Sequence, residues 1–397
     1  MKHWSAGRLA LGSTARRRLL QSGGAALAAL AAPAMLHAAQ PAIQADTQPT
    51  LPSLGKGFNL AHWFEYERNQ ALTAEELRGL QQAGLDHVRL PLDPMACGWS
   101  PDRADQLVFL NELEQAVRMA SDAGLTAIVD LHLRPDHKEA MQGNAQYEAS
   151  VVTLWDRLAR HFGAWPVASV AFELFNEPQF YGVQGLRWPG FQRRLLAAVR
   201  AHSHRHLVLL SGPKGGSLEA LLALKPEPDT RAAYTFHFYD PFVFTHQALP
   251  WLDDRYTAAG ARADVLYPAR LHQGRPPRKL REHALAAREW SEFMAADWGA
   301  AAVRRQMDSA GAWARKQGVR VLCTEFGAIR AGVDPASRYR WLSDVRQALE
   351  ANQLGWSVWE YTHIFGLTEQ STLTGQAGRR SLDAAAYAAL GLRRPRA

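Results

Sequence analysis

From Gly55 onward the chain alternates short runs rich in Val, Ile, Leu and Phe with longer segments whose apolar residues recur at helical spacing. The short runs at 57–60, 87–91, 126–131, 169–175, 206–210, 234–238, 320–325 and 355–359 are strand candidates. Helical segments at 73–83, 107–123, 150–161, 188–204, 300–317 and 338–351 fall between them. Thr73 followed by Glu76 is a capping-box pattern, and Gly84, Gly124 and Gly318 stand where helices should stop. Strands apolar on both faces and separated by helices predict a parallel sheet covered by helices. The most economical form is an α/β fold of one (β/α)8 TIM barrel. An open doubly wound sheet is the alternative, but no GxGxxG follows the first strand and no GxxxxGK[ST] occurs. Gly212–Ser217 lacks phosphate-loop spacing and reads as a turn between a strand and a helix.

The 397 residues accommodate either one barrel or two to three smaller domains. No internal repeat or low-complexity linker marks a second module, so one barrel over 55–393 is expected. One connection is long: about 60 residues separate Asp240 from Gly299, after the sixth strand. It carries Trp251, Tyr256, Tyr267, Trp290 and Trp298, and is expected to be an ordered excursion over the barrel mouth.

Forty-five basic against 38 acidic residues give a formal charge of +7, which by itself suggests an anionic partner. Five of the basic residues, Lys2, Arg8, Arg16, Arg17 and Arg18, lie in 1–39, which holds no acid. The remainder has 45 − 5 = 40 basic and 38 acidic residues, a net of +2, so no nucleic-acid partner is expected. Residues 1–39 read as an export signal: an Arg-rich start, an Ala/Gly/Leu stretch from Gly23 to Leu36, then small residues suited to cleavage. The run Thr14-Ala15-Arg16-Arg17-Arg18-Leu19-Leu20-Gln21 is similar to a twin-arginine signal. The apolar stretch is shorter than the ~20 residues of a spanning helix, so periplasmic or extracellular release is expected, without a stable membrane anchor. Residues 40–54 read as a flexible mature N-terminus. Cys97 and Cys323 lie in no CxxC or Cys/His cluster and are expected to be inert thiols.

Active-site groups of such a barrel come from the C-terminal ends of its strands. The candidate strands end in Val88-Arg89-Leu90-Pro91, Val129-Asp130-Leu131-His132, Glu173-Leu174-Phe175-Asn176-Glu177-Pro178, Phe236-His237-Phe238-Tyr239, Cys323-Thr324-Glu325-Phe326-Gly327 and Ser357-Val358-Trp359-Glu360-Tyr361. One such end is often a helix cap or a structural polar group; six together point to a site. This set resembles glycoside hydrolase family 5, the cellulase-type retaining barrels, over about Gly57 to Gly366. The resemblance rests on Asn-Glu-Pro after strand four, Glu-Phe-Gly after strand seven and the Arg, His, His, Tyr and Trp at the other ends. It implies Glu177 as acid/base and Glu325 as nucleophile, with Arg89, His132, Asn176, His237, Tyr239 and Trp359 around them.

Glycoside cleavage independently needs one carboxyl to protonate the leaving oxygen and a second to attack or stabilise the anomeric carbon. Glutamates atop strands four and seven face each other across the mouth, and Arg89 with Tyr239 is placed to hold Glu325 ionised. Asn176 suits a sugar 2-hydroxyl, and Trp359 offers an apolar face to a sugar ring. Glu173 lies four residues before Glu177, about 13 Å deeper, so it reads as a buried carboxylate in need of a partner, Arg89 being a candidate. Trp63, Trp99 and Trp251 follow strands and are candidate subsite platforms, whereas Trp155, Trp188, Trp313 and Trp341 read as helix packing residues. The clusters His202 to His206 and His132 with His137 lack metal-site spacing, so no metal and no cofactor are expected.

The expected activity is therefore that of a monomeric, exported, retaining β-glycanase acting on a β-linked polysaccharide or oligosaccharide, foremost an endo-β-1,4-glucanase. A β-mannanase or β-1,3-glucan hydrolase uses the same catalytic pair, and a catalytically silent carbohydrate-binding barrel is the alternative of another class.

Overall fold

The computed structural model describes residues 50–65, 68, 71–247, 264–277, 280, 284–369 and 380–395. The expected export signal and the candidate platform Trp251 lie outside these residues. Eight parallel strands close into a barrel: β1 (Lys56–Asn59), β2 (His87–Leu92), β3 (Thr126–Leu131), β4 (Val170–Glu173), β5 (Val208–Ser211), β6 (Ala232–Phe238), β7 (Arg320–Phe326) and β8 (Gly355–Val358). Each strand pairs with the next, and β8 returns to β1 with Phe58 opposite Val358. The strands are buried almost throughout, as a sheet covered on both sides requires.

The helices fall where the periodicity places them, at Ala74–Gln82, Leu110–Asp122, Ala145–Phe162, Trp188–Arg200, Ala300–Gln317 and Pro335–Ala351. The capping box is made: Thr73 Oγ1 accepts the Glu76 N–H at 3.2 Å, and Glu76 returns a carboxylate to the Thr73 N–H at 2.9 Å. Gly318, at φ +65°, ends its helix in the left-handed conformation that glycine adopts without cost. The helix expected from residue 150 begins earlier, at Ala145, because Asn144 caps it by accepting the Tyr147 N–H.

Helix tryptophans pin the strand ends that matter for the site. Trp155 donates its indole N–H to the Leu174 carbonyl at 3.0 Å, and Trp188 donates to Ser211 O at 2.7 Å. Trp341 donates to Asp240 O at 3.0 Å, just past β6. All three are fully buried, as expected of packing residues. β4 is shorter than its apolar run: the ladder ends at Glu173, yet Asn176 still donates its N–H to Leu131 O at 2.8 Å, holding the following turn against β3.

The described part of the long connection after β6 is packed structure. It contains a short helix Phe242–Thr245 and a longer one Ala284–Ala295, and it buries Val265, Tyr267, Trp290 and Phe293. The Ile329 N–H donates to Thr245 O at 2.9 Å, so the first turn of the excursion abuts the loop after β7. Both cysteines are buried free thiols.

Candidate active site

Arg89, in the middle of β2, is the hub. It is fully buried and donates through Nε and Nη2 to the two oxygens of Glu173, at 2.7 and 3.0 Å. Nη1 reaches Glu325 Oε1 at 2.7 Å and Asn59 Oδ1 at 2.8 Å, while Nη2 also meets Asn176 Oδ1 at 2.9 Å and Asp130 Oδ2 at 3.0 Å. Burial opposes the guanidinium charge, but Asp130, Glu173 and Glu325 outweigh it and hold Arg89 charged. That one cation does not offset the desolvation of Asp130 and Glu173. Burial accordingly raises Asp130 to about 6 and raises Glu173 as well. Glu173 is thus the deep, paired carboxylate that its strand position implies.

Glu325 sits in β7 with both oxygens engaged, Oε1 by Arg89 and Oε2 by the Tyr239 hydroxyl at 2.9 Å. Burial and the facing carboxylates push the Tyr239 phenol far above its ordinary range, so it stays protonated and donates. Across the mouth, Glu177 follows β4 at φ +42°, an uncommon backbone for a non-glycine residue that recurs at functional sites. Its side chain is 36% exposed, whereas Glu325 is 5% exposed. His237 lies between them, Nδ1 at 3.0 Å from Glu177 Oε1 and 3.4 Å from Glu325 Oε2. One carboxylate oxygen of each glutamate and a His237 nitrogen all lie within 4.8 Å of one another. Burial works against the His237 charge, but Glu325 and then Glu177 outweigh it and raise the imidazole. Burial likewise works to raise Glu177, and the His237 hydrogen bond and charge, then Lys138, overcome it and lower the carboxyl. His237 and Glu177 thus form a close pair in which each favours the charged form of the other.

His132 joins the other wall. Burial lowers it to about 3, so the ring is neutral. Nδ1 donates to Asp130 Oδ2 at 2.8 Å, which leaves Nε2 to accept from Asn176 Nδ2 at 3.0 Å. Asn176 is locked through its oxygen to Arg89 and through its amide to His132, leaving one N–H for the cleft. Trp359, half-buried after β8, stacks on His132 with ring centroids 5.7 Å apart. Gly327 makes room for it: a Cβ there would stand 2.0 Å from the Trp359 carbonyl oxygen, so the Glu-Phe-Gly order is a packing requirement. All eight residues of the expected set are thereby joined in one contact network.

Trp63 and Trp99 offer no open platform for a sugar, contrary to expectation. They are 6% and 2% exposed, and Trp99 donates its indole N–H inward to Ala104 O at 3.1 Å. Loop position after a strand did not leave them an open face, because these loops fold back onto the core. The histidine cluster 202–206 is likewise structural, with His202 on Asp156 and His206 on Ser203.

Three site residues lie outside the expected set. Asn59, the last residue of β1, and Asp130, two residues before His132 on the same strand face, were findable by applying the strand-end and alternation rules to every strand. Glu65, in the loop after β1, gave no signal. It is buried, accepts the His62 N–H at 3.0 Å and lies 3.7 Å from His132 Nε2. Burial raises it to about 8 from an ordinary value of 4.5, with Glu360, Glu325 and Asp130 adding to the shift. The folded protein then holds a proton that the unfolded chain releases. Its stabilising effect is complete below pH 4.5 and is lost as pH rises to about 8. Glu65→Gln is expected to gain on the wild type between pH 5 and 8 by about 3–4 kcal/mol in urea unfolding; parallel pH profiles would refute this burial account.

Carboxylates opposed across the mouth of a (β/α)8 barrel define the class of barrel enzymes that hydrolyse glycosidic bonds. The cellulase (glycosyl hydrolase family 5) model matches residues 44–363, and the chain belongs to this family. It is 25% identical over 327 residues to Endoglucanase C of Acetivibrio thermocellus, covering 78% of this chain and 91% of that protein. To Endoglucanase 3 of Fibrobacter succinogenes it is 24% identical over 359 residues, 81% of this chain but about half (51%) of the relative. Among solved structures, Thermotoga maritima Cel5A in complex with cellobiose shares the fold, with a TM-score of 0.67 at 20% identity, covering 85% of this chain and 97% of that one. The same enzyme has been solved in complex with mannotriose, with a TM-score of 0.66, 20% identity and the same coverage of both chains. Among the described residues no helix is long and apolar enough to cross a membrane.

Proposed function

We propose that this family 5 hydrolase cleaves β-1,4-glucan internally and with retention, using Glu325 as nucleophile and Glu177 as acid/base. The observation that carries this reading is the spacing of the pair. One oxygen of each glutamate lies within 4.8 Å of the other, which supports the short separation of double displacement, roughly 5–5.5 Å, over the roughly 6.5–9.5 Å of inversion.

In the first step Glu325, oriented by Arg89 and Tyr239, attacks the anomeric carbon. The glycosidic C–O bond breaks as the leaving oxygen takes a proton from Glu177. His237 and Glu177 form the reservoir of that proton, 3.0 Å apart. In the second step Glu177, now a carboxylate, takes a proton from water, and the resulting nucleophile releases the sugar from Glu325. The free Asn176 N–H meets the 2-hydroxyl, a hydrogen bond that strengthens in the transition state, and Trp359 lies under the ring. An almost neutral body suits an uncharged polymer, and the Arg-rich leader supports delivery outside the cytoplasm.

The relatives' names favour glucan, while the mannotriose complex of Thermotoga maritima Cel5A makes β-mannan the second reading. A reducing-end assay on carboxymethylcellulose, mixed-linkage glucan, laminarin and mannan separates them. Cleavage of the two β-1,4-containing glucans is expected; activity confined to mannan or laminarin would overturn the glucanase reading.

A further inference from the structure

Beside the catalytic network lies a second cluster that the mechanism does not use. β1 and β8 pair where the barrel closes, so the loops leaving them run side by side. One carries His62, the other Glu360 and His363. The two imidazole rings are 4.1 Å apart between centroids, and His363 Nδ1 lies 3.7 Å from Glu360 Oε1. One donor atom from each of the three residues falls within 4.8 Å of the other two.

The cluster is enclosed: Glu360 is 1% and His62 is 8% exposed, and the His363 side chain 11%. Glu360 Oε1 accepts the Phe365 N–H at 3.2 Å, but Oε2 is buried without a hydrogen-bond partner. Arg89, which compensates the other buried carboxyls, pairs with Asp130, Glu173 and Glu325 and not with Glu360. A buried carboxylate oxygen left in this way calls for a cationic partner. Both histidines hold positive φ, +62° and +79°, an uncommon backbone for residues other than glycine that recurs at functional sites.

We propose that His62, Glu360 and His363 bind one divalent transition-metal ion of borderline softness, Zn²⁺ being the type. Two imidazoles and one carboxylate are the donor set such ions prefer, whereas Ca²⁺ and Mg²⁺ require oxygen ligands. Bonds of about 2.0–2.2 Å place ligand atoms roughly 3–3.5 Å apart. The Glu360–His363 edge, at 3.7 Å, is already near that distance, and a His62 donor atom lies within 4.8 Å of both. The ion clips the β1 loop to the β8 loop across the seam of the barrel and adds the stability of any ligand bound only by the folded state.

The cleft triad Glu177, His237 and Glu325 has similar spacing, so the test must separate the two. Chelator-treated protein is titrated with Zn²⁺ by calorimetry and with Co²⁺ by visible absorption. Wild type and Glu177→Gln are expected to bind one equivalent with a raised Tm. His62→Asn and His363→Asn keep a residue tolerant of positive φ and are expected to bind at least about 10-fold more weakly. Glu360→Gln, which keeps the side-chain shape, should lose the same affinity. No binding to wild type at about 100 µM Zn²⁺, affinity unchanged in the two Asn variants, or loss in Glu177→Gln instead would each overturn the proposal.

Discussion

Glu325→Gln is expected to lower kcat on every β-glycan substrate by roughly 10⁴-fold or more, the scale on which loss of a nucleophile is felt. The amide oxygen can still accept from Arg89, so the fold should survive and Tm should remain close to that of the wild type. The matching change at Glu177 is expected to behave differently. Glu177→Gln removes only proton transfer, worth about 10²–10⁴-fold. Its defect should shrink on aryl glycosides whose leaving group needs no proton, because the first step then no longer calls on Glu177. Single-turnover kinetics of the two variants on an activated aryl glycoside checks the assignment. Equal residual rates, or a Glu325→Gln enzyme that still turns over, would remove the distinction between the two carboxyls.

Arg89→Met should produce the largest loss of stability. It leaves Asp130, Glu173 and Glu325 facing one another in the barrel without their shared cation, and breaking a buried pair from one side costs about 3–5 kcal/mol. In a chain of this size that corresponds to a fall in Tm of about 4–6 °C. Arg89→Lys keeps the charge but not the fork that meets Glu173 with two nitrogens while reaching Glu325 and Asn59 with a third. It should recover part of the stability and little of the activity. An Arg89→Lys enzyme with wild-type Tm and kcat would show that the guanidinium geometry is unimportant.

Much of this site was legible because its residues obey two local rules. Polar residues at the ends of apolar runs marked the mouth, and the rise per residue along strand four separated Glu173 in depth from Glu177. The same rules, applied to β1 and β3, also reach Asn59 and Asp130. Other features have no local signature. The helix Leu218–Leu222 is too short to show a period, and Glu65 is buried by loops that meet only in the fold. His62 and His363 come together because β1 meets β8 at the closure of the barrel, a pairing that spans nearly the whole chain. Trp63 and Trp99 mark the opposite limit: aromatics in loops serve the core as readily as a substrate, and spacing does not distinguish the two uses.

The central claim is double displacement by the Glu177 and Glu325 pair. The most direct test follows the anomeric proton of the first-formed product by NMR, during hydrolysis of a soluble β-1,4-glucan oligosaccharide and before mutarotation. The β-anomer should appear first, with the α-anomer growing only by equilibration. Initial formation of the α-anomer would mean inversion by a single displacement and would contradict the assignment of Glu325 as nucleophile.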